Sequence, residues 1–259
     1  MRLFPLLCAC CALLVLACTK STQSIQLPEY APEAITRLAP AYKGKYITYR
    51  LDSIVPILQG RVLATRRYLA KDVWDTLIVD NQGKPAWRIF RFLNDSLGSG
   101  PWSASTTYTL SVYNNRLEQL ENNLRTIRLQ LPLRDGAAWN GNQYLPFAAY
   151  GAYNNLLFTE PLKWTYKWQG PLRETWSGRQ YDSVWTVEQL NQVFDTLSVA
   201  NPQYRLYGIG YIADKYAVGV GLVARQLLLL ENNPNQQDAT TFNPYKTGFG
   251  IRMWMVDHN

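Results

Sequence analysis

Lys45-Tyr46-Ile47-Thr48-Tyr49-Arg50-Leu51-Asp52 alternates between two sets of side chains. Along an extended chain Ile47, Tyr49 and Leu51 point one way and Tyr46, Thr48 and Arg50 the other, and a period of two belongs to a strand. Comparable runs recur at 62–69, 73–79, 86–93, 108–113, 162–168, 183–189, 203–212, 220–230 and 250–256. Turn chemistry separates them. Asn81-Gln82-Gly83-Lys84-Pro85 links a hairpin, Asn140-Gly141 suits a tight primed turn, and Asn-Asn pairs at 114–115, 122–123, 154–155 and 232–233 mark further reversals. Short strands at this spacing predict a mainly β body, with antiparallel sheets forming a sandwich or partly open barrel and few short helices.

Two stretches carry both periods. Leu117, Leu120, Leu124, Ile127 and Leu131 fall at helical spacings of three and four, yet Ile127, Leu129, Leu131 and Leu133 also alternate as a strand does. Asn122-Asn123 sits mid-segment, where both residues are mediocre helix formers, and favours two strands paired across that turn. The stretch 187–197 likewise has a helical reading through Val187, Leu190, Phe194 and Leu197.

Ahead of the body, Arg2 is followed by an apolar run from Leu3 to Ala17 that ends Val15-Leu16-Ala17-Cys18. A charged start, an apolar core and a small residue at the end are the parts of a secretory signal, and the run is too short for the roughly 20 apolar residues of a spanning helix. The pattern resembles a bacterial lipoprotein signal peptide. That resemblance implies cleavage between Ala17 and Cys18, with a thioether-linked diacylglycerol and an N-acyl chain such as palmitate on Cys18. The division is then a signal over 1–17, a lipidated N-terminus and tether over 18–40, and a β-rich body over 41–259. Pro28, Pro32 and Pro40 suit an extended tether, with room for a short helix over 32–38. Two sheet subdomains meeting near 144–156 are a further expectation.

Composition narrows the function classes. The four cysteines are Cys8, Cys10, Cys11 and Cys18, so lipidation and cleavage leave none for a disulfide. The net charge of +7 is spread out, with Arg66-Arg67 the one adjacent basic pair. A scattered basic surface after export argues against nucleic acid and leaves anionic lipid or acidic polysaccharide as partners.

A second resemblance covers most of the body. Lys45-Tyr46-Ile47-Thr48-Tyr49-Arg50-Leu51-Asp52-Ser53-Ile54, Trp139-Asn140-Gly141-Asn142, the segment Lys215 to Val223, and the ending Gly248-Phe249-Gly250-Ile251 through Asp257-His258-Asn259 together resemble uncharacterised lipoproteins of Bacteroidetes. That family is defined by its anchor and sheet-rich body. The resemblance implies an outer-membrane location held by the lipid. Such lipoproteins often reach the cell surface when acidic residues follow the cysteine, and Thr19-Lys20-Ser21-Thr22-Gln23 has none, which favours the periplasmic face.

Chemical motifs are sparse. His258 is the single histidine, so a Ser-His-Asp arrangement would need the last residues to fold back, and the usual zinc ligand sets are missing. Asp72, Asp75 and Asp80 lack EF-hand spacing, and charged strand edges account for them. Gly219-Val220-Gly221 lacks the lysine and following helix of a phosphate loop, and Gly208-Ile209-Gly210 sits within a strand pattern; both glycine pairs read as sheet curvature or close backbone approach. No catalytic residue, metal ligand or cofactor site is assigned. The positive candidate is aromatic. Trp164, Tyr166 and Trp168 alternate with Lys163, Thr165 and Lys167, which puts three rings on one strand face, either as core or as a surface for stacking sugars with Lys167 and Arg173 beside it.

The leading reading is an envelope lipoprotein that acts as a binding or accessory module for glycan, lipid or a membrane-protein partner. A carbohydrate-active hydrolase using two of Glu160, Glu174, Asp182 and Glu188 is the second, and a structural member of an envelope complex the third. An exposed aromatic stripe would favour glycan, and a deep apolar cavity a lipid.

Overall fold

The computed structural model describes residues 33–113, 115–147, 149–150, 158, 160–196, 206–237 and 244–259. The signal, Cys18 and the tether up to residue 32 lie outside them, as does the Asn154-Asn155 pair.

Twelve antiparallel strands form one sheet in the order β6-β5-β4-β3-β2-β1-β12-β11-β10-β9-β8-β7. They are β1 (Tyr46–Ile57), β2 (Val62–Val79), β3 (Pro85–Asp95), β4 (Ser103–Tyr113), β5 (Arg116–Glu121), β6 (Leu124–Gln130), β7 (Ala138–Trp139), β8 (Tyr166–Trp176), β9 (Arg179–Asp195), β10 (Tyr207–Ala217), β11 (Gly221–Gln237) and β12 (Pro244–His258). Strands adjacent in sequence are adjacent in space, and β1 pairs β12 from Ile47↔His258 to Ile54↔Gly250, so two six-stranded wings share a central seam. The outer edges of the wings, β6 and β7, also meet. The Ile127 amide donates to the Gly141 carbonyl at 2.8 Å, and the indole N–H groups of Trp139 and Trp168 donate to the carbonyls of Ile127 and Gln130 at 3.0 and 2.8 Å. The sheet is therefore a nearly closed up-and-down barrel. Closure removes the exposed strand edges that would otherwise recruit other chains.

Both ambiguous stretches are strands. Asn122 and Asn123 take φ of 51° and 61°, the left-handed pair that a type I′ hairpin needs, and 187–195 continues β9. Other reversals move. Asn232 and Asn233 lie within β11 and do not turn the chain. Asn140-Gly141 is no primed hairpin turn: the Asn142 amide donates to the Asn140 side-chain oxygen at 3.0 Å, closing an Asx turn. Gly141 is required there because a Cβ would meet the Tyr166 ring at 2.4 Å. Gly219 and Gly221, with φ of 84° and 116°, make the β10–β11 turn.

Helix α1 (Glu33–Leu38) realises the short helix expected at the end of the tether. Ile35 and Leu38, three residues apart, are fully buried and pack in one cluster with Trp139, Tyr166, Trp168 and Trp185. Two side chains of one helical face thus anchor the helix against the barrel. Nearby, Lys45 is buried between the rings of Tyr42 and Trp74, and burial lowers its amine to about 8.

Candidate functional site

Alternation along each strand decides what enters the lumen. Tyr49 and Leu51 on β1, Asp72 on β2, Arg91 on β3, Arg225 on β11 and Met253 on β12 all lie on the inward face, and register aligns the charges: Asp72 stands opposite Arg91, and Asp214 opposite Arg225. Arg91 donates through Nε and Nη2 to the two Asp72 oxygens, both at 2.6 Å, and the Tyr108 hydroxyl adds a 2.9 Å bond to the same carboxylate. Arg225 forks Asp214 in the same manner at 2.8 and 2.9 Å. Both aspartates are 1% exposed. Two bidentate pairs across the lumen form a polar layer in an otherwise apolar interior.

A third guanidinium joins this layer on weaker terms. Arg128 of β6 donates through Nε to the Gln119 side-chain oxygen at 3.0 Å, and its Nη1 stands 3.6 Å from Asp214, already forked by Arg225. Gln119 passes a bond on to Glu121 at 2.8 Å. Gln189, also buried, approaches Asp214, but its amide nitrogen has no acceptor at hydrogen-bonding distance among the described residues.

Burial alone would raise the Asp214 carboxyl, but the charge and hydrogen bonds of Arg225, with Arg128, hold it below the usual carboxylate range. Burial likewise opposes the charge on Arg91 and Arg225, and their aspartates more than offset it. The phenols of Tyr49, Tyr108 and Tyr216 are pushed up, first by burial and then by the nearby carboxylates, so they remain hydroxyl donors.

The layer divides the lumen. Toward α1 lies a small space of about 40 Å³ bordered by Ala39, Pro40, Trp74 and Leu222, with room for a water or two. On the other side lies a chamber of about 280 Å³ whose floor is Arg91, Gln119, Arg128, Gln189 and Arg225. Its walls carry Leu51, Leu124, Ile212, Leu227, Phe249 and Ile251, with polar Glu121, Asn122 and Thr126 contributed by β5, β6 and the turn between them. That volume sits just below the range of ~300–1,000 Å³ typical of small-ligand sites.

The aromatic strand residues singled out in the sequence do not form an exposed stripe. Trp164, Tyr166 and Trp168 share an inward face and are 8%, 1% and 0% exposed. Trp164 stacks on Tyr150 at 5.7 Å, the Tyr166 hydroxyl donates to the Asn142 side-chain oxygen at 2.7 Å, and Trp168 packs on Trp139 and edge-on against Trp185. The area such rings remove from water outweighs any gain from display. Lys167 and Arg173 are exposed on the opposite side, Arg173 pairing with Asp182 at 2.8 Å, so the structure does not join them to the rings. The four acids weighed as a hydrolytic set go to different partners: Glu160 to Lys163, Glu174 to Lys215, Asp182 to Arg173, and Glu188 to Asn191. Nor are Asp72, Asp75 and Asp80 equivalent strand-edge charges. Asp72 is the buried partner of Arg91, Asp75 pairs with Arg88, and Asp80 caps the β2–β3 turn and binds Arg125. The signal that locates the chamber floor is an ionisable residue on the inward face of a strand. Asp72 splits the runs 62–69 and 73–79, Asp214 follows 203–212, and Arg225 interrupts 220–230.

No protein-family model and no curated protein matches the chain. Among solved structures it is similar to a Bacteroides fragilis protein whose name describes it as exported with a YmcC-like fold, at a TM-score of 0.32 and 9% identity over 85% of this chain and 97% of that one. It is also similar to a Vibrio parahaemolyticus domain named for outer-membrane lipoprotein sorting, at a TM-score of 0.21 and 14% identity over 87% and 89% of the two chains. Likeness at this level carries no chemistry, which rests here on the residues of the lumen.

Proposed function

We propose that this chain is a lipid-anchored envelope binding module whose ligand is an anionic single-chain amphiphile held in the lumen chamber. The tail lies along Leu51, Leu227, Phe249 and Ile251, and the headgroup meets the arginine floor. The observation that carries this reading is Arg128. Three guanidinium groups border the chamber floor, two of them forked by their own aspartates, and Arg128 is left with a neutral amide and a shared carboxylate at 3.6 Å. A half-buried cation so loosely paired is stabilised by an incoming carboxylate or phosphate, and the apolar part of the wall favours a hydrocarbon tail. Anchoring at Cys18 and an outer-membrane location complete the proposal, on the sequence pattern already given.

The test is a titration of the whole chain carrying Cys18→Ala, which removes the lipid attachment point and permits detergent-free buffer. Dansyl-labelled undecanoic acid is expected to bind with enhanced fluorescence, and its primary-alcohol counterpart far more weakly. Arg128→Gln should weaken the acid about 10–100-fold, the worth of a charge-assisted hydrogen bond in a buried site. Equal affinity for acid and alcohol, unchanged by Arg128→Gln, would overturn the assignment of the headgroup site.

A further inference from the structure

The outer wall of β10, β11 and β12 carries a second groove, separate from the lumen. Asp214, Arg225 and Met253 face inward, so their neighbours face out. Register sets these in two rows across the strands: Lys215–Ala224–Trp254, and Ala213–Gln226–Arg252. The β8–β9 hairpin bends over the first row. The Lys215 ammonium lies 5.8 Å from the Trp176 ring centroid and is paired with Glu174 of the same hairpin, and the Ser177 hydroxyl donates to the Met255 carbonyl at 2.8 Å. Trp176 on the hairpin and Trp254 on β12 thus border one groove of about 460 Å³ with Ala213 and Ala224 at its base and Tyr211, Gln226 and Arg252 along it.

Two features together describe an occupant. Two indoles beside a base of alanines leave room for flat, partly apolar ring faces. Arg252 is exposed and has no carboxylate at ion-pair distance among the described residues; its cross-strand neighbour Asp52 is 3.9 Å from Arg67 instead. With Lys215 neutralised by Glu174, Arg252 leaves the groove one net positive charge.

We infer that this groove is a saccharide-binding site for an acidic oligosaccharide, with sugar faces against Trp176 and Trp254 and a uronate carboxylate on Arg252. The inference does not depend on the lumen ligand.

The experiment is calorimetric titration of the full-length lipidated protein in detergent micelles with tetragalacturonate, with its methyl ester and with tetraglutamate as controls. Tetragalacturonate should bind. Trp254→Ala should weaken it about tenfold or more. Arg252→Gln, at an exposed position where folding is not at risk, should weaken it about five- to tenfold and bring it level with the methyl ester. Lumen variants such as Arg128→Gln should leave it unchanged. Absence of binding, binding indifferent to both substitutions, or equal binding of tetraglutamate would each overturn the site, and equal binding of the methyl ester would overturn its preference for acids.

Discussion

Asp214→Ala is expected to lower stability by about 3–5 kcal/mol, because it leaves Arg225 buried and charged with no carboxylate of its own. The cost comes from desolvation: the Asp214 fork satisfies Arg225 at 2.8 and 2.9 Å, and no other described carboxylate reaches it at ion-pair distance. Urea unfolding would register the loss as a lower midpoint with an unchanged slope. Removing both partners, as Asp214→Ala with Arg225→Met, should recover part of the loss because the orphaned charge goes too. The same pair shapes the acid limb of the stability profile. Arg225 holds the folded Asp214 carboxyl below its unfolded value, so its contribution is complete above the ordinary carboxylate pKa of about 4 and is lost as pH falls through the lowered folded value. Asp214→Ala should therefore flatten that limb.

Trp168→Ala is expected to cost about 3–5 kcal/mol from lost packing and the cavity it leaves, and also to open the barrel. The ring is fully buried against Trp139 at 5.4 Å and Trp185 at 5.8 Å, and its N–H binds the Gln130 carbonyl across the β6 edge. Among the described residues the hydrogen bonds across this joint are two from indoles and one from the backbone, whereas every other strand neighbour is held by a ladder, so the joint is the weakest line in the sheet. Hydrogen exchange should locate the damage: amides of β6 lose protection by a large factor, while those of β1, β11 and β12 change only with global stability. Trp168→Phe separates the two contributions. It keeps most of the ring area but leaves the Gln130 carbonyl unpaired, at a cost of about 1–3 kcal/mol.

The strand content was legible because alternation on an antiparallel sheet follows directly from which side chains face the core. Asn122-Asn123 was legible for a further reason: asparagine tolerates the left-handed conformation that a two-residue hairpin demands. Asn232-Asn233 misled for the same reason, since in β11 ladder pairing overrides the local preference. Closure was not legible, because it depends on Trp139 and Trp168 meeting β6 carbonyls across the whole sheet. The chamber floor was missed for an instructive cause. Asp72 and Asp214 interrupt hydrophobic runs and so read as strand boundaries, whereas each is an inward position whose charge is matched on the next strand by Arg91 or Arg225. The aromatic signal at 164–168 was real, and pointed to the core that closes the barrel.

Photo-crosslinking places the ligand most directly. The whole chain carrying Cys18→Ala, exposed to a fatty acid carrying a diazirine near the end of its chain and then digested, should yield adducts on the chamber walls, at Leu51, Leu227, Phe249 or Ile251, with the yield falling sharply in Arg128→Gln. Adducts confined to the outer face of the strands, or lumen adducts indifferent to Arg128, would contradict the account.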